Sequence, residues 1–134
     1  MTAFQRFEDI QAWQVSRELV NSLYRATDPC KFGPDIDLRG QLTSAGVSVM
    51  TNIAEGFGRG NDGDFIRFLD IARGSAAEVQ SLVYVCADVG YLSEENAAPL
   101  RRLAADCISL VAGLQTYLKQ ARNKGRKRNK AGKP

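Results

Sequence analysis

The sequence predicts an all-α protein: an antiparallel up-down-up-down four-helix bundle followed by a disordered basic C-terminal tail. Three observations predict it. Four segments repeat apolar residues at three- and four-residue steps. The breaks between them are short and rich in Gly, Pro and Asp. No run alternates apolar and polar residues with the period of two that a strand needs. Short connections make consecutive helices antiparallel neighbours. The 134 residues are one domain's worth of chain, with the bundle expected over 1–122 and the tail over 123–134.

The first helix is expected from about Phe7 to Thr27, where Ile10, Ala12, Trp13, Val15, Leu19, Val20, Leu23 and Tyr24 share roughly half of a helical wheel. That arc is broader than one neighbour requires. Asp28, Pro29, Gly33 and Pro34 then make a linker of about eight residues, and Asp35 or Asp37 can cap the second helix. It runs to about Gly56 on a seam of Leu38, Leu42, Ala45, Val49 and Ile53. Beside the seam lies a small polar stripe, Gln41, Ser44, Ser48, Asn52 and Glu55. Two readings of that stripe stay open: a solvated face, or a hydrogen-bonded ladder against another helix with Asn52 and Glu55 paired.

Gly56, Gly58, Gly60 and Gly63 supply the positive φ that ends one helix and reverses the chain, and Asp62 or Asp64 is the expected cap of the third. This helix, from about Asp64 to Val89, carries two stripes. Phe65, Phe68, Leu69, Ala72, Val79, Val83 and Cys86 form one, and Ile71, Leu82, Val85 and Val89 the other. Gly74 and Ser75 in its middle call for compensation, most simply close approach of another helix with Arg73 and Glu78 at hand for pairing. After Gly90-Tyr91-Leu92, Ser93 with Glu94 and Glu95, or else Asn96, opens the fourth helix, with its start near Pro99. Leu100, Leu103, Cys107, Leu110, Val111, Leu114, Leu118 and Ala121 carry it to about Arg122.

Charge is split along the chain. Lys119, Arg122, Lys124, Arg126, Lys127, Arg128, Lys130 and Lys133 give +8 after residue 118 with no acidic residue among them, which leaves −5 on residues 1–118 of a chain whose total is +3. Zero histidines exclude Ser-His and Cys-His hydrolysis and most zinc sites. The three cysteines, Cys30, Cys86 and Cys107, are odd in number and far apart, so free thiols are expected. No basic-then-apolar leader and no apolar stretch of about 20 residues is present, so the cytoplasm is the expected compartment and no membrane is implied.

Residue by residue, chemistry loses to structure. The glycine run follows a helix rather than a strand, lacks Lys-Ser or Lys-Thr after it, and is followed by Asp62 and Asp64, so it is not a phosphate cradle. Glu55 and Glu78, with Asp70, lack the Glu-x-x-His pairs of metal bundles and read as capping and inter-helix bonding. No cofactor, metal or catalytic residue is expected.

The pattern N-I-A-E-G-x-G-R followed by F-x-x-F-L-x-I-A-x-G-S-x-x-E, borne here by Asn52, Glu55, Gly56, Gly58, Arg59, Phe65, Phe68, Leu69, Ala72, Gly74, Ser75 and Glu78, together with Gln41 and Gly90-Tyr91-Leu92, resembles the signature of the rRNA intervening-sequence proteins. More distantly it resembles the accessory variability proteins that partner reverse transcriptases in diversity-generating retroelements. The resemblance spans about residues 7–120. It implies a homopentamer of four-helix bundles, and its distant branch implies nucleic-acid binding, with a reverse transcriptase or other nucleic-acid enzyme as a further partner. The basic charge of this chain sits in its tail rather than on its body.

The surplus apolar residues Trp13, Val20, Tyr24, Leu82, Val85 and Val89 would together exceed the patch usual for monomers and are the expected oligomer interface. The tail has no aromatic residue after Tyr117, so it would bind phosphates without base stacking. The expected function is therefore a non-enzymatic oligomeric scaffold that binds RNA or DNA nonspecifically through the basic residues. The alternative is a protein-interaction hub, or partner of a nucleic-acid enzyme, that touches no nucleic acid. Should the tail not bind, Arg39, Arg59, Arg67 and Arg73 are the next candidates.

Overall fold

The computed structural model of the protein describes residues 4–131. A 3₁₀ turn over Phe7–Asp9 leads into α1 (Gln11–Ala26), followed by the short α2 (Pro29–Phe32), α3 (Ile36–Gly58), α4 (Asp62–Asp88) and α5 (Glu94–Ala131). No strand occurs among the described residues. The four long helices close a ring in which α1 and α4 each pack between α3 and α5.

Side-chain register shows that ring neighbours run antiparallel. From α3 to α4, Asp35 meets Tyr91, Ser48 meets Ser75 and Gly56 meets Phe68. From α4 to α5, Gly63 meets Arg122, Asp70 meets Gln115 and Gln80 meets Arg101. From α1 to α3, Leu23 meets Gly46 and Thr27 meets Arg39. In each pair one number rises as the other falls, which is the up-down-up-down bundle. Its centre is filled by Leu19, Leu23, Leu42, Val49, Ile53, Leu69, Val79, Val83, Cys107, Val111 and Leu118, all fully buried. Gln115 is the long polar side chain inside. Its Nε2 donates to the Ile66 carbonyl at 3.1 Å and to Asp70 Oδ1 at 2.7 Å, which satisfies both hydrogens of a buried amide.

Two caps fall where the sequence places them: Asp35 Oδ1 accepts from Leu38 N–H at 3.0 Å and Ser93 Oγ from Asn96 N–H at 3.2 Å. Other boundaries differ. α1 starts at Gln11 rather than Phe7, because the 3₁₀ turn and the extended Ile10 intervene. α4 is capped by Asn61, whose Oδ1 accepts from Asp64 N–H at 2.9 Å. Asp62 and Asp64 sit inside the first turn instead, where their charge complements the positive helix end. Of the four clustered glycines only Gly60 has positive φ. Gly56 is needed for space, being buried against Phe65 and Phe68. α5 begins at Glu94, with Pro99 inside its second turn.

The linker before α3 is more ordered than expected. Asp28 caps α2 through Cys30 N–H at 3.0 Å, and Pro29 takes the first helical position. This turn delivers Phe32 into the core, its ring 5.1 Å from that of Tyr91. Tyr91 Oη donates to Asp35 Oδ2 at 3.4 Å, so the α1–α3 and α4–α5 connections lock at the same end of the bundle.

The expectation of a disordered segment from 123 onward is corrected: α5 continues unbroken to Ala131. The cost of a helix lies in its first turn, and here that turn forms on the bundle, after which each added residue gains a backbone bond. Ala, Gln, Lys and Arg, which dominate residues 119–131, are good helix formers, and no proline interrupts before Pro134.

Candidate nucleic-acid interface

α5 leaves the bundle gradually. Leu118 is its last fully buried side chain and Ala121 is half-buried. The Arg122 guanidinium lies against α4's first turn, 3.4 Å from where a Cβ on Gly63 would stand. Beyond it Lys124, Arg126, Lys127 and Arg128 are all exposed, as is Lys119 before it. At about 100° per residue, Lys119, Arg122 and Arg126 form one stripe and Lys124, Lys127 and Arg128 a second. Reading the tail as irregular chain could not yield this grouping; the signal for it was the helix-forming composition. Lys133 and the side chain of Lys130 lie outside the described residues.

Five arginines of the bundle are occupied differently. Arg59 pairs with Glu55 at 3.3 Å and stacks over Phe68, Arg67 pairs with Asp64 at 2.6 Å, and Arg73 pairs with Asp70 at 3.3 Å rather than with Glu78. Arg39 Nε donates to the Thr27 carbonyl at 2.6 Å while its guanidinium lies over Tyr24. Arg101 pairs with Glu94 and covers Tyr84. Exposed pairs add little stability, but each places a carboxylate or a ring where a phosphate would have to sit. On α5 no acidic residue follows Asp106; Asp62 and Asp64, in the α4 turn against which Arg122 lies, are carboxylates of the bundle at that end.

The polar stripe of α3 meets α4 through one direct bond, Ser48 Oγ to Ser75 Oγ at 2.9 Å. Asn52 Nδ2 donates to the Ser48 carbonyl and Oγ, and is not paired with Glu55. Gln41, Ser48, Ser75 and Glu78 line a shallow groove of about 440 Å³ between the two helices, with the exposed Gly74 one residue before Ser75. Among the described residues nothing comes within 4 Å of a Cβ on Gly74, so none of the described helices accounts for it. Ile71, Ser75, Glu78, Leu82, Val85 and Val89 form α4's outer stripe, on which Ile71, Val85 and Val89 are 52%, 41% and 55% exposed.

Trp13, Val20 and Leu82 are only partly exposed, and Trp13 sits edge-on to Phe7 at 5.1 Å; Tyr24 is exposed beneath Arg39. A second groove, about 490 Å³ between α1 and α5, is lined by Phe4, Ile10, Leu110, Leu114 and Tyr117 and holds no charged group that could grip a phosphate. Burial pushes the Cys86 thiol up to about 11 and that of Cys107 to about 12, so both are protonated fillers, whereas Cys30 is exposed. Among the described residues no three His, Cys, Asp or Glu side chains gather into a metal site, and no helix is long and apolar enough to cross a membrane.

The sequence profile of the 23S rRNA-intervening sequence protein family matches residues 8–113, and the chain belongs to that family. The bundle is similar to the crystal structure of a protein with unknown function of the S23 ribosomal protein family from Bacteroides thetaiotaomicron. The TM-score is 0.71 at 19% identity, over 78% of this chain and 97% of that one. That likeness is one of fold. No curated protein matches the chain significantly. The profile stops before Lys119, so the basic end of α5 lies beyond the matched region.

Proposed function

From its place in this family and the charge of α5, we propose that the protein is a non-enzymatic, oligomeric helical scaffold of the cytoplasm that holds RNA or DNA by the phosphate backbone. The observation that carries this reading is the contrast within one molecule. Arg39, Arg59, Arg67, Arg73 and Arg101 on the bundle are occupied by carboxylates, rings and a backbone carbonyl, while α5 ends in a run of exposed cations with no acid after Asp106 on that helix. One such arm binds nonspecifically, with Kd on the order of 10⁻⁴ to 10⁻⁶ M at physiological salt. Several arms on one body make later contacts intramolecular and raise avidity by about 10² or more.

Assembly is the second half of the reading. The outer stripe of α4 leaves Ile71, Val85 and Val89 open beside a groove lined by small and polar side chains, and a second copy seated there would bury both and approach Gly74 closely. Five copies is the number the family resemblance implies. Binding of labelled RNA by the full chain and by a chain ending at Gln120 tests the reading. Equal binding by the two would rule out the arm.

A further inference from the structure

The groove between α1 and α5 is apolar along its length and oppositely charged beyond its two ends. Phe4, Ile10, Leu110, Leu114 and Tyr117 line it, and Gly113 leaves one stretch without a side chain, since a Cβ there would meet nothing within 4 Å. From Ser109 to Tyr117 it runs roughly 12 Å at about 1.5 Å per residue. Its volume of about 490 Å³ spread over that length gives a cross-section of about 40 Å². A helix 10–12 Å across needs about twice that, so the groove is too narrow to seat one and wide enough for an unbranched alkyl chain.

The charges set a direction. Asp106 lies seven residues before Gly113 and so returns to within about 20° of it, just past the Ser109 end. On α1, Glu18 stands in the same relation to Gln11, which lines the groove. Both carboxylates are felt by Cys107, whose thiol is raised first by burial and then by the charges of Asp106 and Glu18. At the other end Lys124 lies seven residues after Tyr117, again within about 20° of it, with Lys127 and Arg128 to either side; all three are exposed. Lys124 points roughly 160° away from Arg122, clear of the α4 turn on which Arg122 rests. Cα–Cβ bonds on a helix tilt toward its N-terminus, which carries the Lys124 stem back toward Tyr117. The acids just before α1, Glu8 and Asp9, are both paired with Arg6.

We propose that this groove binds a medium-chain fatty carboxylate, its alkyl chain along Leu110, Gly113 and Leu114 and its head at the Tyr117 end within reach of Lys124. An extended alkyl chain with bonds of about 1.5 Å advances roughly 1.25 Å per carbon, so about ten carbons span the groove. Asp106 and Glu18 repel the head from the Ser109 end, which fixes the orientation. The inference goes beyond the nucleic-acid reading: it uses a groove which that reading leaves empty, and shares with it only Lys124 and the cations beside it.

Isothermal titration calorimetry on the full chain tests it, with hexanoate, octanoate, decanoate and tetradecanoate below their micellar concentrations and decyltrimethylammonium as a cation of the same chain length as decanoate. Affinity for the carboxylates should rise about two- to fourfold per added methylene, the upper value being complete burial, and level off beyond about ten carbons. The cation should bind about threefold or more weakly than decanoate. Gly113→Trp fills the groove at an exposed helical site and should cut decanoate affinity about tenfold or more, with thermal unfolding and assembly mass unchanged as controls. Lys124→Glu with Arg128→Glu, both outside the bundle, should abolish the preference for decanoate over the cation and keep the chain-length dependence. Binding indifferent to chain length, decanoate binding undiminished by Gly113→Trp, or a preference for decanoate that survives the double charge reversal overturns the proposal. A fall in assembly mass with Gly113→Trp overturns it too, by assigning the groove to a second copy.

Discussion

Gly56 on α3 stands so close to Phe68 on α4 that a Cβ there would lie 2.6 Å from the Phe68 Cβ, and 3.0 Å from the Phe65 ring. This contact sets how tightly the two helices converge before the turn at Gly60. Replacing Gly56 with Ala should destabilise the fold by about 1–3 kcal/mol through overpacking, despite alanine's better helix propensity. The same change at Gly113, an exposed helical site with nothing within 4 Å, should stabilise it by up to about 1 kcal/mol. Chemical denaturation of both variants reads the two signs; a stabilising Gly56→Ala would contradict the packing described.

The entry to α4 should be acid-sensitive. Asp64's carboxyl is held below its ordinary 3.8, first by a hydrogen bond from Asn61 and then by Arg67. Its folded pKa thus lies below the unfolded one, so this stabilisation is complete well above pH 3.8 and is lost as pH falls through the folded value. Asn61→Ala should cost about 1 kcal/mol as a lost cap and flatten the acid limb of stability against pH. An unchanged acid limb would show that the Asn61–Asp64 link is without effect.

Thiol chemistry should single out Cys30. A thiol reagent at neutral pH is expected to modify one cysteine per native chain and three after denaturation, since Cys86 and Cys107 are buried and protonated. Their raised pKa values also mean that stability, complete below pH 9, declines as pH rises toward about 11 and 12. Rapid native modification of three thiols would contradict this burial.

The outer stripe of α4 should govern assembly. Light scattering after gel filtration is expected to return a mass several times the 14.7 kDa of one chain, and Val85→Glu with Val89→Glu should reduce it to the single-chain value with helix content intact. A wild-type mass of 14.7 kDa at micromolar concentration would end the oligomer proposal.

How far the chain could be read in advance follows from what periodicity reports. Seams such as Leu42–Val49–Ile53 and Leu69–Val79–Val83 are visible because burial imposes a repeat. Asp35 and Ser93 were legible as caps only as one of two candidates each, beside Asp37 and Asn96, whereas at α4 the expected caps were Asp62 and Asp64 rather than Asn61. Cap chemistry alone does not choose among neighbours, and backbone geometry decides. α2 was hidden because four residues are too few to show a period. The end of α5 was hidden for another reason: it is a helix without a buried face, so it has no apolar pattern. Its cations were plain in the sequence, and their arrangement into two flanks was not.

The central claim is that the protein holds nucleic acid by the basic end of α5, and the most direct measurement is the salt dependence of labelled-RNA binding, by anisotropy, for the full chain and for a chain ending at Gln120. The account predicts that binding by the full chain falls steeply with salt, with a log–log slope of roughly −4 or steeper from the phosphates its cations neutralise. It further predicts little sequence preference, and that the shortened protein, still an assembled bundle, loses the affinity. A shortened protein that binds as tightly, with the same slope, would contradict it and move the search to Arg39, Arg59, Arg67 and Arg73.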